Sequence, residues 1–238
     1  MWHLLADCAS WLRVVRQRCD NAPVATEEGP VRPRVLMVCA LDYACECVAA
    51  VQDELSAGRP LQAAALARIL FEVAARVCWA SLTDDGWARL MKYWIEEHKK
   101  PLNRVQANPC GSTVKARASI EDLLHNYETW LASPEVASLP LCPDMRTLLR
   151  EIDDTVFGEA GRPQQGEGPY AGYQDLCRYA HANMTVCAGG VGVDKIGPLV
   201  ATYVACATIQ LVEAQARTFG AALDEASLDA LYRLVPDA

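Results

Sequence analysis

The chain is expected to fold as an all-α helical bundle with a single main domain, and three observations predict this. Apolar residues recur at helical spacing through most of the 238 residues. No convincing alternating apolar/polar run or two-residue hairpin turn signals a strand. Hydrophobic residues make up 52% of the chain and charged residues 22%, the balance of a folded chain long enough to bury a substantial core.

The opening MWHLLADCASWLRVV is interrupted by His3 and Asp7 and has no basic lead-in, so it reads as an amphipathic helix over 2–19 rather than a secretory signal. A Pro/Gly/Glu-rich loop follows, and Pro33 and then Pro60 sit where helices begin, giving expected helices over 34–57 and 60–82. Thr83 or Asp84 can cap a fourth helix over 84–99, with Pro101 closing it and a loop over 101–114. Further helices are expected over 115–132, 143–157, 170–188, 196–221 and 224–234, with a surface loop at 158–169. These divide the chain into an N-terminal helix and linker (1–32), a bundle domain (33–222) and a C-terminal helix or tail (223–238). The uncharged run 196–212, broken by Gly-Pro and carrying Thr and Gln, reads as a buried helix rather than a membrane span.

The net charge of −8 rules out a field over the whole molecule that gathers nucleic acid, although a local patch remains open. Residues 86–117 carry seven Lys/Arg against two Asp/Glu, and 121–175 carry three against eleven. Solvated helix faces account for most such runs, and a basic patch beside an acidic face is the alternative. Eleven cysteines without a CxxC pair argue against zinc, and Cys45 and Cys47 diverge too far on a helix to chelate one ion. Cys39, Cys78, Cys187 and Cys206 fall in apolar patterns where a thiol acts as a small core residue. An odd number of thiols and no signal sequence point to a reducing cytoplasm.

Two segments carry the candidate site. In LQAAALARILFEVAARVCWASL (61–82), Leu66, Ile69, Leu70, Val73 and Val77 share one broad face, with Phe71 and Cys78 nearly opposite. One narrow ridge is charged, Arg68–Glu72–Arg76, facing either solvent as an ion ladder or an internal cleft. Asp42 and Glu46 interrupt the preceding apolar helix, and Arg68 and Arg76 are their expected partners. Two carboxylates and a distant His181 can bind a metal, but without a Glu-x-x-His repeat the structural ion pair is preferred and no metal or cofactor is expected. In YQDLCRYAHAN (173–183), Tyr173, Cys177 and His181 lie four residues apart along the edge of an apolar stripe. That edge position suits either a satisfied boundary histidine or a groove in which imidazole exchanges a proton near neutral pH, with Arg178 turned toward solvent and suited to phosphate.

Together these segments resemble a bacterial helical family related to the HEPN superfamily. Its members pair an Arg-x-Leu-(Phe/Tyr)-Glu helix, matched by Arg68, Phe71 and Glu72, with a Tyr-x-x-Leu-(Ser/Cys)-x-x-x-His helix, matched by Tyr173, Leu176, Cys177 and His181. The resemblance covers about 35–215 and implies a helical bundle, often dimeric, within a superfamily rich in metal-independent ribonucleases that serve as toxins or antiphage effectors. The superfamily's active motif places four to six residues between Arg and His, whereas only two separate Arg178 from His181 here. The expected function is therefore a non-catalytic module that dimerises or holds a partner protein, with no membrane contact. The alternative is a ribonuclease or RNA-binding effector in which His181 is the general acid/base and Arg178 or Arg68 steadies the phosphate, within a cluster of Arg68, Glu72, Tyr173 and His181.

Overall fold

The computed structural model describes residues 1–22, 27, 30–107, 121, 124–125, 127–158, 168–180, 192–220 and 225–234. Among these the secondary structure is helical throughout, with no strand, as the apolar periodicity predicts. The long helices are α1 (Trp2–Asp20), α2 (Pro33–Ser56), α3 (Pro60–Ala80) and α4 (Gly86–Ala107). They are followed by a short α5 (Pro134–Ala137), α6 (Met145–Ile152), α7 (Gly168–Ala180), α8 (Val193–Phe219) and α9 (Glu225–Tyr232). Pro33 and Pro60 open α2 and α3, where a missing N–H leaves nothing unsatisfied. The Asp144 carboxylate caps α6 by accepting from the Thr147 N–H at 3.0 Å. α6 then passes into a π-helical turn over Asp153–Gly158.

α3 is the axis, with α8, α2, α7, α6 and α4 packed around it. Its inner surface is built largely from alanine: Ala63, Ala64, Ala67, Ala74, Ala75 and Ala80 are fully buried. Side chains this small let α8 and α2 lie close to its backbone, while Leu70, Phe71, Val77, Cys78 and Trp79 fill the remaining space. α8, which contains the uncharged run 196–212, buries fourteen residues from Ile196 to Gln215 and is the second core helix, as the sequence indicates. α2 and α8 are both long and apolar enough to cross a membrane on length and composition alone. Two thirds of the α8 window is nevertheless enclosed by protein. The N-terminal helix, set apart in the sequence reading, contributes Leu5, Cys8, Leu12, Val15 and Cys19 to the same core, as α9 does with Leu231.

Several local expectations need correction. Pro101 does not close the fourth helix, because α4 runs on to Ala107; a proline removes one backbone bond but does not forbid the turns on either side. The loop expected from 101 therefore starts no earlier than 108, and residues 108–114 lie outside the described residues. Ile69 is 43% exposed and Cys39 is also exposed, because each points outward from a helix whose other sides are covered. Asp42 and Glu46 do not meet Arg68 or Arg76. They sit on the outer face of α2, where Arg16 of α1 donates to Asp42 at 2.6 Å.

The basic segment is put to structural use where it is described. Lys92 donates to the carbonyls of Val136, Ala137 and Leu139 at 2.9, 3.0 and 2.7 Å, closing the C-terminal end of α5. Arg89 lies over the Trp79 ring at 4.7 Å and donates to the Leu141 carbonyl at 3.3 Å. Lys99 pairs with Glu96 at 2.7 Å. Arg89 and Lys92 thus tie α4 to neighbouring elements, while Lys99 is paired along its own helix. Lys92→Met keeps the aliphatic stem and removes all three donors, and is expected to lower the Tm by about 3–6 °C in a thermal melt. An unchanged Tm would mean that those carbonyls are equally well served by water.

Candidate functional site

The charged ridge of α3 and the tyrosine ridge of α7 meet. Glu72 and Arg68 are one helical turn apart, and Arg68 Nε donates to Glu72 Oε1 at 2.9 Å, with Nη2 of the same guanidinium 2.8 Å from that oxygen in an ion pair. Tyr173 Oη, from more than a hundred residues along the chain, donates to the same oxygen at 2.7 Å. One carboxylate oxygen thus gathers two hydrogen-bond donors from two helices, one of them the paired guanidinium. Both members of the ion pair are about three-quarters buried, so the pairing is partly shielded from water.

The electrostatics follow from that geometry. Burial pushes the Tyr173 phenol well above the ordinary tyrosine value, and its bonds toward Glu72 and Cys177 push the same way. The phenol therefore stays a neutral donor at physiological pH. Burial opposes the charge on Arg68, and the Glu72 carboxylate beside it more than compensates, raising the pKa of the guanidinium above its usual value. Cys177, on the same ridge of α7, completes the neighbourhood of Tyr173 and Arg68.

Below this polar layer lies an aromatic one. Phe71 stacks with Tyr173 at 6.2 Å and meets Tyr203 of α8 edge-on at 5.1 Å, while Tyr170 lies 6.2 Å from Tyr173. Gly172 lets the layer close. A Cβ at that position would lie 1.3 Å from Tyr203 Oη, so only glycine admits the ring this near the α7 backbone. The sequence reading missed both Gly172 and Tyr203. A glycine next to the motif tyrosine was the one available signal, and it resembles any helical glycine until its neighbour is known.

The remaining candidates are elsewhere. Arg76 does not extend the ion ladder: its guanidinium lies 4.2 Å from the Tyr93 ring centre and donates to Cys142 Sγ at 3.4 Å. Arg178 is 67% exposed and pairs with Asp175 at 2.7 Å, pointing away from Arg68 and Glu72 as the helical spacing indicated. His181 lies outside the described residues, as do Met184 and Cys187. Among the described residues no group of three or more His, Cys, Asp or Glu side chains is placed to hold a metal ion. The nine cysteines among the described residues are free thiols; burial pushes Cys8 to about 11 and Cys78 and Cys206 to about 12, leaving these three protonated and unreactive near neutrality.

Fold and site together define an all-α bundle whose central helix is tied to a peripheral one by a carboxylate-centred latch. Comparison with known protein families, with curated proteins and with solved structures finds no match for this chain.

Proposed function

We propose that this chain is a non-catalytic helical module that works by association, either with a second copy or with a partner protein. The observation that carries this reading is the convergence of Arg68 and Tyr173 on one oxygen of Glu72. A general acid/base site keeps a titratable group poised near neutral pH and directed at substrate. Here the phenol is held in its neutral form and bonded to the carboxylate that also neutralises the arginine, and Arg178 is occupied by Asp175. The engagement of Arg89, Lys92 and Lys99 within the fold also weighs against an RNA-gathering surface. The likeness of the Arg68–Glu72 and Tyr173–Cys177 segments to HEPN-related helical proteins supports the same reading, since that group is rich in dimers. In that setting the chain belongs to bacterial defence or toxin systems, and its free thiols suit a reducing cytoplasm.

The test is to incubate purified protein with total RNA beside Glu72→Gln, Tyr173→Phe and His181→Ala, recording a melting curve for each. No cleavage by any of the four is expected, with lowered melting temperatures for Glu72→Gln and Tyr173→Phe. RNA cleavage by wild-type protein that disappears in His181→Ala, with the melt unchanged, would overturn the proposal in favour of a metal-independent ribonuclease.

A further inference from the structure

We propose that α7 is a strap that opens from α3 as a unit while the rest of the bundle stays folded, and that the Tyr173–Glu72 hydrogen bond is its latch. The inference rests on packing alone and does not depend on the functional reading above. α3 buries twelve side chains from Pro60 to Ala80, and α8 buries fourteen residues from Ile196 to Gln215. Across its thirteen residues α7 buries one, Leu176.

The rest of its attachment is of a kind that opens at modest cost. Tyr170, Tyr173, Cys177 and Tyr179 are each only partly covered. The ring contact between Tyr173 and Phe71 is at 6.2 Å, and Tyr203 meets the α7 backbone at the notch left by Gly172. Segments with little buried apolar surface open well below the free energy of global unfolding, whereas α3 and α8 can separate only when the whole core is lost. A hydrogen bond to a carboxylate suits a reversible latch, because water replaces both partners once they part. Opening uncovers Leu176, the face of Phe71 and the edge of Tyr203, and releases the Glu72 carboxylate with Arg68 still paired to it. The fold thus contains a cleft over the middle of α3 that α7 covers and can expose.

Native-state hydrogen exchange read by mass spectrometry tests this on the full chain. Amides within 174–178 of α7 are expected to exchange roughly 100-fold or more faster than those of α3 and α8, with little dependence on low denaturant. Tyr173→Phe keeps the ring stack and removes the latch, and is expected to speed exchange in α7 roughly 5- to 30-fold further, whereas Leu12→Ala, in core that stays folded when α7 opens, is expected to speed exchange in α3 and α8 and leave α7 unchanged. Glu72→Gln, which keeps an acceptor, is expected to fall between wild type and Tyr173→Phe. Exchange of α7 at the rate of α3 and α8 would overturn the proposal. So would a Leu12→Ala effect shared equally by all three helices, because α7 would then open only together with the global fold.

Discussion

Trp79→Ala is expected to lower the unfolding free energy by about 3–5 kcal/mol, enough to reduce the Tm by roughly 10 °C or more. Trp79 is 1% exposed, near the C-terminal end of the axial helix, and three elements use it. Its indole N–H donates to Glu151 Oε2 at 2.6 Å, and the Arg89 guanidinium lies over its ring at 4.7 Å. Most of the loss comes from packing. Glu151 is on the surface and rehydrates when the indole leaves, whereas the space vacated by the ring cannot be filled by rigid neighbouring helices. Trp79→Phe separates the contributions, since it keeps much of the volume and drops only the N–H, and should cost about half as much or less. A thermal melt of Trp79→Ala within about 2 °C of wild type would mean that the ring is not part of the folded core.

Gly172→Ala is the second large effect, and here two forces oppose one another. In an ordinary helix the change stabilises by roughly 0.5–1 kcal/mol, because alanine leaves less backbone freedom to lose. At this position the new methyl would lie 1.3 Å from Tyr203 Oη and 2.3 Å from the adjoining ring carbon, far inside contact distance. Overpacking of that kind costs about 1–3 kcal/mol, so it outweighs the propensity gain and the variant should be less stable. The clash also lifts α7 from α8 beside Tyr173, so accelerated exchange in α7 should accompany the lower melt. A double-mutant cycle with Tyr203→Leu isolates the cause: the pair should be less destabilised than the sum of the single changes. Simple additivity would place the damage elsewhere in the backbone.

How much of this was legible beforehand depends on the range of the interaction involved. Helix starts at Pro33 and Pro60 and the buried character of 196–212 are local matters of proline geometry and apolar period, and the structure agrees with both. The meeting of Arg68, Glu72 and Tyr173 was legible in the motif positions the two helices share with the resembled family, a charged ridge and a polar edge on otherwise apolar helices that both need partners, although Arg68 was also expected to serve Asp42 and Glu46. The fate of Asp42 was not. Its partner depends on which way α2 is rotated within the bundle, and an apolar run with charges on one side permits both inward and outward placement. Arg76 was misjudged for a related reason: its long side chain reaches Tyr93 and Cys142 from a stem whose helical position says little about its tip. The notch at Gly172 was illegible because it is defined entirely by a ring on another helix.

The alanine cladding of α3 has a consequence for how this chain can vary over generations. Where a core is built from large side chains, a lost methyl on one can be balanced by a gained methyl on its neighbour, and drift proceeds by such exchanges. Ala63, Ala64, Ala67, Ala74, Ala75 and Ala80 have no bulk to trade, and glycine, the one smaller residue, weakens the helix itself. Substitutions should therefore accumulate along α1, α4 and the outer side of α2. The axial residues, which look the least distinctive in the sequence, have the least latitude of any in the molecule.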